Sequence, residues 1–153
     1  MTAYQRGNRY EAMTARLLAD AGYHTWLARG SKGLADVLAI KPGQLVLVQV
    51  KSGRGIPRDG LGVNHAGWNG LYDLARDLGP SVLAVACYWQ VSHPPPLMRQ
   101  ITGHHGAGLR HWPSKPWEPD ELAPLRDLSS RASLNTRAAL KGRPVIRPGR
   151  RLR

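Results

Sequence analysis

Cysteine is almost absent from this sequence, which has one, Cys87, in 153 residues. A single cysteine excludes an internal disulfide framework and leaves no cysteine pair for a structural zinc site. We therefore expect a protein of a reducing compartment, the cytoplasm, or the host cytoplasm if the protein is viral. Because Cys87 lies within an apolar run, we expect its thiol to be an inert part of the core.

Long apolar segments are absent as well. The longest uninterrupted apolar run, residues 82–89, is far shorter than the roughly 20 residues of a membrane-spanning helix. Residues 1–7 contain no apolar core of a signal peptide. A chain of 153 residues, 42% of them hydrophobic, is long enough for one domain with a core. The sequence therefore predicts a soluble protein with one domain, residues 1–128, and an extension.

Acidic residues are scarce, since 10 Asp and Glu oppose 22 Lys and Arg and give a formal net charge of +12. Residues 129–153 hold eight basic residues and no acidic one, which leaves +4 for residues 1–128. DNA is the expected partner, because Lys and Arg neutralise phosphates and release counterions. A membrane surface is the competing partner, but Pro144 and Pro148 interrupt any helix that would lie on it. We interpret residues 129–153 as a basic, flexible tail that contacts DNA; a merely solvated extension is the alternative.

The spacing of apolar residues predicts an α/β fold with a mixed sheet in the order α-β-β-β-α-β. Three strands in succession favour an antiparallel meander, and the last strand is expected to lie parallel to an earlier one after a right-handed crossover. The predicted helices occupy residues 8–21 and 66–78, and the predicted strands occupy residues 24–29, 35–40, 45–51 and 82–88.

Two stretches lack a regular pattern. Residues 52–64 are rich in glycine and are predicted to form a mobile surface loop. After His93, closely spaced prolines and glycines predict irregular cover, with a short strand at residues 109–112 and a short helix at residues 120–128.

Polar residues interrupt two of the apolar strands at positions that favour a catalytic site. Asp36 begins one strand, and Gln49 and Lys51 lie on one face at the end of the next, because side chains alternate along a strand. A hairpin partner can bring Asp36 onto that same face. Phosphodiester hydrolysis needs hard oxygen ligands for Mg²⁺ and a cation near the scissile phosphate. The pattern therefore favours a nuclease site at one edge of the sheet.

In the order and spacing of its motifs, the sequence resembles the archaeal-type Holliday junction resolvases of the PD-(D/E)xK nuclease superfamily. The resemblance covers about residues 4–90. It implies a restriction-endonuclease-like fold and Mg²⁺-dependent cleavage of four-way DNA junctions by paired, symmetric cuts. Because such a junction is nearly two-fold symmetric, paired cuts call for a homodimer. The matching segments are Gly7 and Glu11, Gly22-Tyr23, Gly30-Ser31-Lys32, residues 36–40, residues 48–51, residues 70–78 and residues 81–85.

The resemblance also implies roles for individual residues. Glu11 and Asp36 would bind metal, Lys51 would be the catalytic lysine, and Ser31 would be an active-site hydroxyl. Flanking basic residues are expected to contact DNA phosphates: Arg6, Arg9, Arg29, Lys32, Arg54 and Arg58.

Gln49 departs from the family pattern, which usually has an acidic residue at this position. The substitution keeps an oxygen donor and removes a negative charge. We expect retained activity with weaker metal affinity. The expected ligands of one or two Mg²⁺ ions, with Mn²⁺ as a substitute, are Glu11, Asp36, the Gln49 side chain and the Val50 carbonyl.

Alternative interpretations remain at this stage. Asp36 and Lys51 could be a turn-capping carboxylate and a strand-end lysine, Glu11 could be solvated, and Ser31 could be a turn residue. The chain could also be another restriction or repair nuclease of the superfamily, or a DNA-binding relative without catalysis. Two groups of residues fall outside the main pattern. The first is three histidines that fit no zinc template: His104, His105 and His111. The second is three tryptophans that are candidates for base stacking or a dimer contact: Trp89, Trp112 and Trp117.

Overall fold

The computed structural model describes residues 1–28, 33–106 and 112–119. One six-stranded sheet, in the order β1-β2-β3-β4-β5-β6, is antiparallel except for the parallel pair of β3 and β4. The α/β class and the predicted order of the first six elements are confirmed. The elements are α1 (Ala3–Asp20), β1 (His24–Leu27), β2 (Val37–Lys41), β3 (Gln44–Gly53), a 3₁₀ turn (Asp59–Gly62), α2 (His65–Leu78), β4 (Val82–Gln90), β5 (Leu97–Ile101) and β6 (Ser114–Pro116).

Helix α1 begins five residues earlier than its apolar pattern predicts, because Thr2 caps it. The Thr2 hydroxyl accepts a hydrogen bond from the Gln5 backbone, and the Gln5 side chain accepts one from the Thr2 backbone. This reciprocal pair is a capping box, which satisfies two backbone donors at the helix start. The buried residues Tyr10, Thr14 and Leu18 recur every fourth position and form one stripe against the sheet.

The two helices cover opposite faces of the central strands. Residues Val46, Val48 and Val50 of β3 belong to the core cluster that α1 closes. Leu47 points to the other face, where Trp68 of α2 is completely buried. Strands β3 and β4 are therefore enclosed on both sides, which explains why their sequences are continuous apolar runs. The predicted crossover corresponds to the β3-α2-β4 unit, whose strands β3 and β4 are parallel and adjacent.

The predicted mobile loop at residues 52–64 is instead folded. Strand β3 continues through Gly53, and the 3₁₀ turn follows. Leu61 and Val63 are buried, and the Tyr88 hydroxyl donates a hydrogen bond to the Gly55 carbonyl at 2.9 Å. The prediction of little structure here was wrong, because the contacts that fix this segment come from residues distant in sequence, among them Tyr88 of β4 and Trp112.

The sheet also extends beyond the predicted strands. Residues after His93 were expected to be irregular, yet β5 pairs with β4, and β6 pairs with β5. Within the described ranges, no helix is long and apolar enough to span a membrane. Trp112 is not part of a strand, while residues 109–111 of the predicted strand, the predicted helix at residues 120–128 and the tail at residues 129–153 lie outside the described residues.

Candidate active site

Asp36 lies where β2 begins, opposite the last part of β3. Its backbone N–H donates to the Val48 carbonyl at 2.7 Å, which continues the ladder between the two strands. Its carboxylate oxygen Oδ2 accepts two hydrogen bonds of 2.8 Å, from the Gln49 carboxamide and from the Val50 backbone N–H. The hairpin therefore places Asp36 in direct contact with Gln49, as the alternation of the strand predicts.

Lys51 follows two residues after Gln49 on the same face of β3. Its side chain is exposed, and its ammonium is near enough to lower the pKa of Asp36. The lysine stem lies against Gly62, where an added Cβ would be 3.2 Å from the Lys51 Cβ. The 3₁₀ turn therefore forms one wall beside the lysine.

The charge of Asp36 is only partly compensated. Burial raises the pKa of the Asp36 carboxyl above its ordinary value, although the Val50 N–H and the Lys51 ammonium lower it. A carboxylate with a raised pKa gains from a nearby cation, because the cation stabilises the ionised form that burial penalises. The site thus has an electrostatic preference for an additional positive charge beside Asp36.

Glu11 lies at the same end of the sheet as Asp36. Its neighbour Tyr10 packs on Trp89. One turn further along α1, Thr14 accepts a hydrogen bond from the Trp89 indole. This part of α1 therefore covers the carboxyl end of β4. Leu17 lies on the flank of α1 toward Trp117, beside β6. Glu11, half-buried, lies on the opposite flank by helical spacing, toward β3 and β2.

The oxygen atoms of the Asp36 and Gln49 side chains are the kind of ligand that a hard divalent cation binds. Within the described ranges, no group of three or more His, Cys, Asp or Glu side chains is arranged to hold a metal. Asp36 supplies a carboxylate, and Gln49 supplies a carboxamide oxygen, which are ligands that Mg²⁺ accepts. Since the Gln49 amide nitrogen now faces Asp36, its carboxamide must rotate before its oxygen can join Asp36 on one ion.

Four of the six residues predicted to contact DNA lie in the described part of the chain. Arg6 and Arg9 are exposed on α1, and Arg54 and Arg58 are exposed on the loop beside Lys51. Three further predicted site residues lie outside the described residues: Arg29, Ser31 and Lys32.

The tryptophans behave differently from the prediction. Trp89 is 5% exposed and belongs to the core under α1, so its proposed role in base stacking or dimer contact was wrong. His105 stacks on Trp112 with ring centroids 3.7 Å apart, and an added Cβ at Gly60 would lie 2.9 Å from the same indole. Trp112 therefore holds the 3₁₀ turn in place. Trp117 is half-buried, with its ring 6.5 Å from that of Tyr23.

His104 and His105, two of the three histidines that invited a metal site, take part in hydrogen bonds around α2. His104 contacts the Asp73 carboxylate at 2.5 Å, and His105 Nδ1 lies 3.3 Å from His65 Nδ1. The backbone of His105 is held by Asn69 through both its N–H and its carbonyl. These contacts attach residues 104 and 105 to α2. His111 lies outside the described residues.

Sequence reasoning missed Tyr88 as a neighbour of the site. Tyr88 pairs with Lys51 across the parallel strands, and a Cβ added at Gly53 would collide with the Tyr88 hydroxyl. The signal in the sequence was the series of glycines after Lys51, which allow the backbone to approach the tyrosine ring closely.

Comparison with solved structures identifies a fold neighbour. The structure is similar to that of Archaeoglobus fulgidus Hjc, a Holliday junction resolvase from an archaeal hyperthermophile, with a TM-score of 0.54 and 15% sequence identity. The match covers 78% of this chain and 93% of that one. No protein-family model matches the sequence, and no curated protein matches it. The predicted likeness is thus confirmed at the level of structure, and the chain has the restriction-endonuclease-like fold of an archaeal Holliday junction resolvase.

Proposed function

We propose that this protein is a Mg²⁺-dependent endonuclease that resolves four-way DNA junctions by paired, symmetric phosphodiester hydrolysis. The observation that carries the proposal is the contact of Asp36 with Gln49 beside Lys51, at the sheet edge where the sequence pattern predicts the site. The choice of a branched substrate is supported by the fold neighbour, whose described activity is Holliday junction resolution.

In this proposal, Asp36, Gln49, Glu11 and the Val50 carbonyl hold one or two Mg²⁺ ions, with Mn²⁺ as a substitute. A divalent ion supplies polarisation of the phosphate and a lower pKa for a bound water. Asp36 and Glu11 provide the negative charge that holds the cation, and Gln49 provides a neutral oxygen. The Lys51 ammonium orients the attacking water and offsets charge that develops on the phosphate.

Phosphate contacts would position the DNA on this site. Arg54 and Arg58 belong to the folded loop beside Lys51, and Arg6 and Arg9 lie on α1, which covers the same end of the sheet. Contacts to phosphates carry little base information, so the selection of a junction would come from its shape. Arg29, Lys32 and the basic tail complete the proposed phosphate contacts, and Ser31 is proposed as an active-site hydroxyl.

A homodimer is part of the proposal. A four-way junction is nearly two-fold symmetric, and two opposed cuts require two active sites related by a two-fold axis. One chain of this size supplies one such site.

A DNA-binding protein without catalysis is the second candidate, and one observation favours it. Gln49 donates its amide N–H to Asp36, so its carboxamide is oriented as a hydrogen-bond donor to that carboxylate and not as a metal ligand. Binding of junction DNA without any Mg²⁺-dependent cleavage would select this candidate.

Junction cleavage is the first test. We expect the full-length protein to cut a labelled four-way junction in Mg²⁺, to leave it intact in EDTA, and to leave its linear duplex arms intact in both. Denaturing electrophoresis measures the products. Equal cutting of linear arms would instead indicate another nuclease of the superfamily.

Replacing Gln49 tests whether its side chain is a metal ligand. We expect Gln49→Glu to lower the Mg²⁺ concentration for half-maximal cleavage on the order of tenfold, since affinity for such ions follows the charge of the ligands. The matched control is Gln44→Glu, which adds the same charge at the opposite end of β3 and keeps an acceptor for the Tyr23 hydroxyl. If both variants require the same Mg²⁺ concentration as the wild type, Gln49 does not contact the ion.

A further inference from the structure

The folded loop beside Lys51 carries an unusually exposed apolar side chain. Ile56 is 85% exposed, more than any other large hydrophobic residue in the described ranges. A single exposed isoleucine is common on protein surfaces and has no meaning alone. Here its neighbours are Arg54 and Arg58, and Pro57 follows it directly. An apolar tip between two cations is therefore presented next to the candidate active site.

The backbone on both sides of Ile56 is fixed. Before it, the Gly55 carbonyl accepts from Tyr88 at 2.9 Å, and the Gly53 carbonyl accepts from the Val91 N–H at 2.9 Å. After it, the Leu61 N–H donates to the Arg58 carbonyl at 3.0 Å, and Leu61 itself is buried. The loop that carries Ile56 is thus anchored at both ends. Its conformation is defined, and that conformation exposes the Ile56 side chain.

The loop separates two surfaces of the molecule. On one side, Gly62 packs on Lys51. On the other side is an open groove of about 1230 Å³, with Ile56, Pro57 and Arg58 on one wall and the segment from Pro95 to Arg99 on the other. Arg99 in this groove is half-buried and is held by two hydrogen bonds to Ser114, although Asp59 and Glu118 also line it. The lining of the groove thus holds two cations and two anions, and the tip that carries Ile56 stands between this groove and the cation at Lys51.

We propose that Ile56 is an apolar wedge that enters the base stack at the branch point of the junction. One arm then lies over Lys51 and a neighbouring arm lies along the groove. Apolar side chains of this kind enter base steps in proteins that bend DNA, and the cost is the lost stacking of the bases. That cost is smallest at a branch point, where base pairs of different arms meet without a continuous duplex. The inference rests on the proposed function and names the residue that selects branched DNA.

Fluorescence of 2-aminopurine at the branch point tests the wedge without cleavage, because this base brightens when it is unstacked. The titration uses the full-length protein in EDTA. We expect binding of the wild type to raise the fluorescence, and Ile56→Ala to lose most of the rise and about tenfold in junction affinity, with little change for linear duplex. Ile56→Leu should retain both effects.

Two controls separate a wedge from a general defect. Leu78→Ala removes an apolar side chain that is 55% exposed at the far end of α2, and it should behave as the wild type. All variants should melt within a degree or two of the wild type, since substitutions at exposed sites have small effects on stability.

The outcomes distinguish the wedge from the proposed function. A wild-type protein that cuts junctions, with Ile56→Ala indistinguishable from it in fluorescence and affinity, overturns the wedge and leaves the nuclease intact. A wild-type protein that cuts the junction and its linear arms equally in Mg²⁺ overturns the proposed function, and the wedge with it.

Discussion

Replacing Asp36 with Asn is expected to remove Mg²⁺-dependent cleavage and, at the same time, to raise the melting temperature of the metal-free protein. Cleavage should fall by more than about 100-fold, since loss of groups that only support metal ligands already costs roughly 10–100-fold. The fold should tolerate the change, because the carboxamide oxygen of the new side chain can still accept from the Val50 N–H and Gln49 can rotate to present its oxygen.

The gain in stability follows from the raised pKa of Asp36. A carboxyl whose pKa is higher in the folded chain than in the unfolded chain binds its proton more tightly when folded. Its ionised form therefore destabilises the fold above the raised pKa, and the wild type gains stability as the pH falls through that pKa toward the ordinary Asp value. The Asp36→Asn variant lacks this charge. Its melting temperature should therefore exceed that of the wild type at neutral pH, and the difference should shrink on acidification.

Calorimetry in EDTA measures the difference in melting temperature between the variant and the wild type. The pH should run from neutral down to about 4, which is close to the ordinary pKa of Asp. The matched control is Asp59→Asn, which removes an exposed carboxylate from the neighbouring 3₁₀ turn. We expect this control to keep Mg²⁺-dependent cleavage. A variant at position 36 that melts lower than the wild type and still cuts would contradict the assignment of Asp36.

Replacing Lys51 with Ala is the second change with a large expected effect. We expect cleavage of the junction to fall by about 10²–10³, as for loss of one preorganised group that stabilises developing charge. Affinity for the junction and the melting temperature should change little, because the side chain is exposed. Single-turnover rates and binding titrations separate these effects.

The pH profile adds a second readout for Lys51. Its ammonium lowers the pKa of Asp36, so Lys51→Ala should raise that pKa further. Residual cleavage should then require a higher pH than in the wild type, because Asp36 must be ionised to bind a cation. Lys115→Ala, at an exposed position on β6, is the control. Equal cleavage rates in Lys51→Ala and Lys115→Ala would rule out a catalytic lysine at position 51.

The part of the site on β2 and β3 could be predicted because it depends on short-range geometry. The period of two along β3 and one hairpin turn bring Asp36 to Gln49, and the observed contact is the predicted one. Glu11 is different, since its position depends on how α1 packs across β4. The sequence placed Glu11 mainly through family resemblance, and the contact of Thr14 with Trp89 locates this part of α1 without testing the role of Glu11.

The remaining fold could not be predicted because its stabilising contacts are distant in sequence. Strand β5 follows three prolines, and its buried residues Met98 and Ile101 do not alternate, so it becomes a strand only through pairing with β4. The loop before α2 has too few apolar residues for a pattern, yet Tyr88 and Trp112 fix it from other elements. The candidate wedge Ile56 depends on this loop, and its sequence alone suggested only flexibility.

Mapping the cuts on each of the four strands of a junction, in the Mg²⁺ reaction with the full-length wild type, tests the central proposal most directly. The proposed function predicts one cut in each of two opposed strands, at symmetric distances from the branch point, and none in the linear arms. Cuts spread over all strands and arms, or an intact junction that remains bound in Mg²⁺, would contradict it.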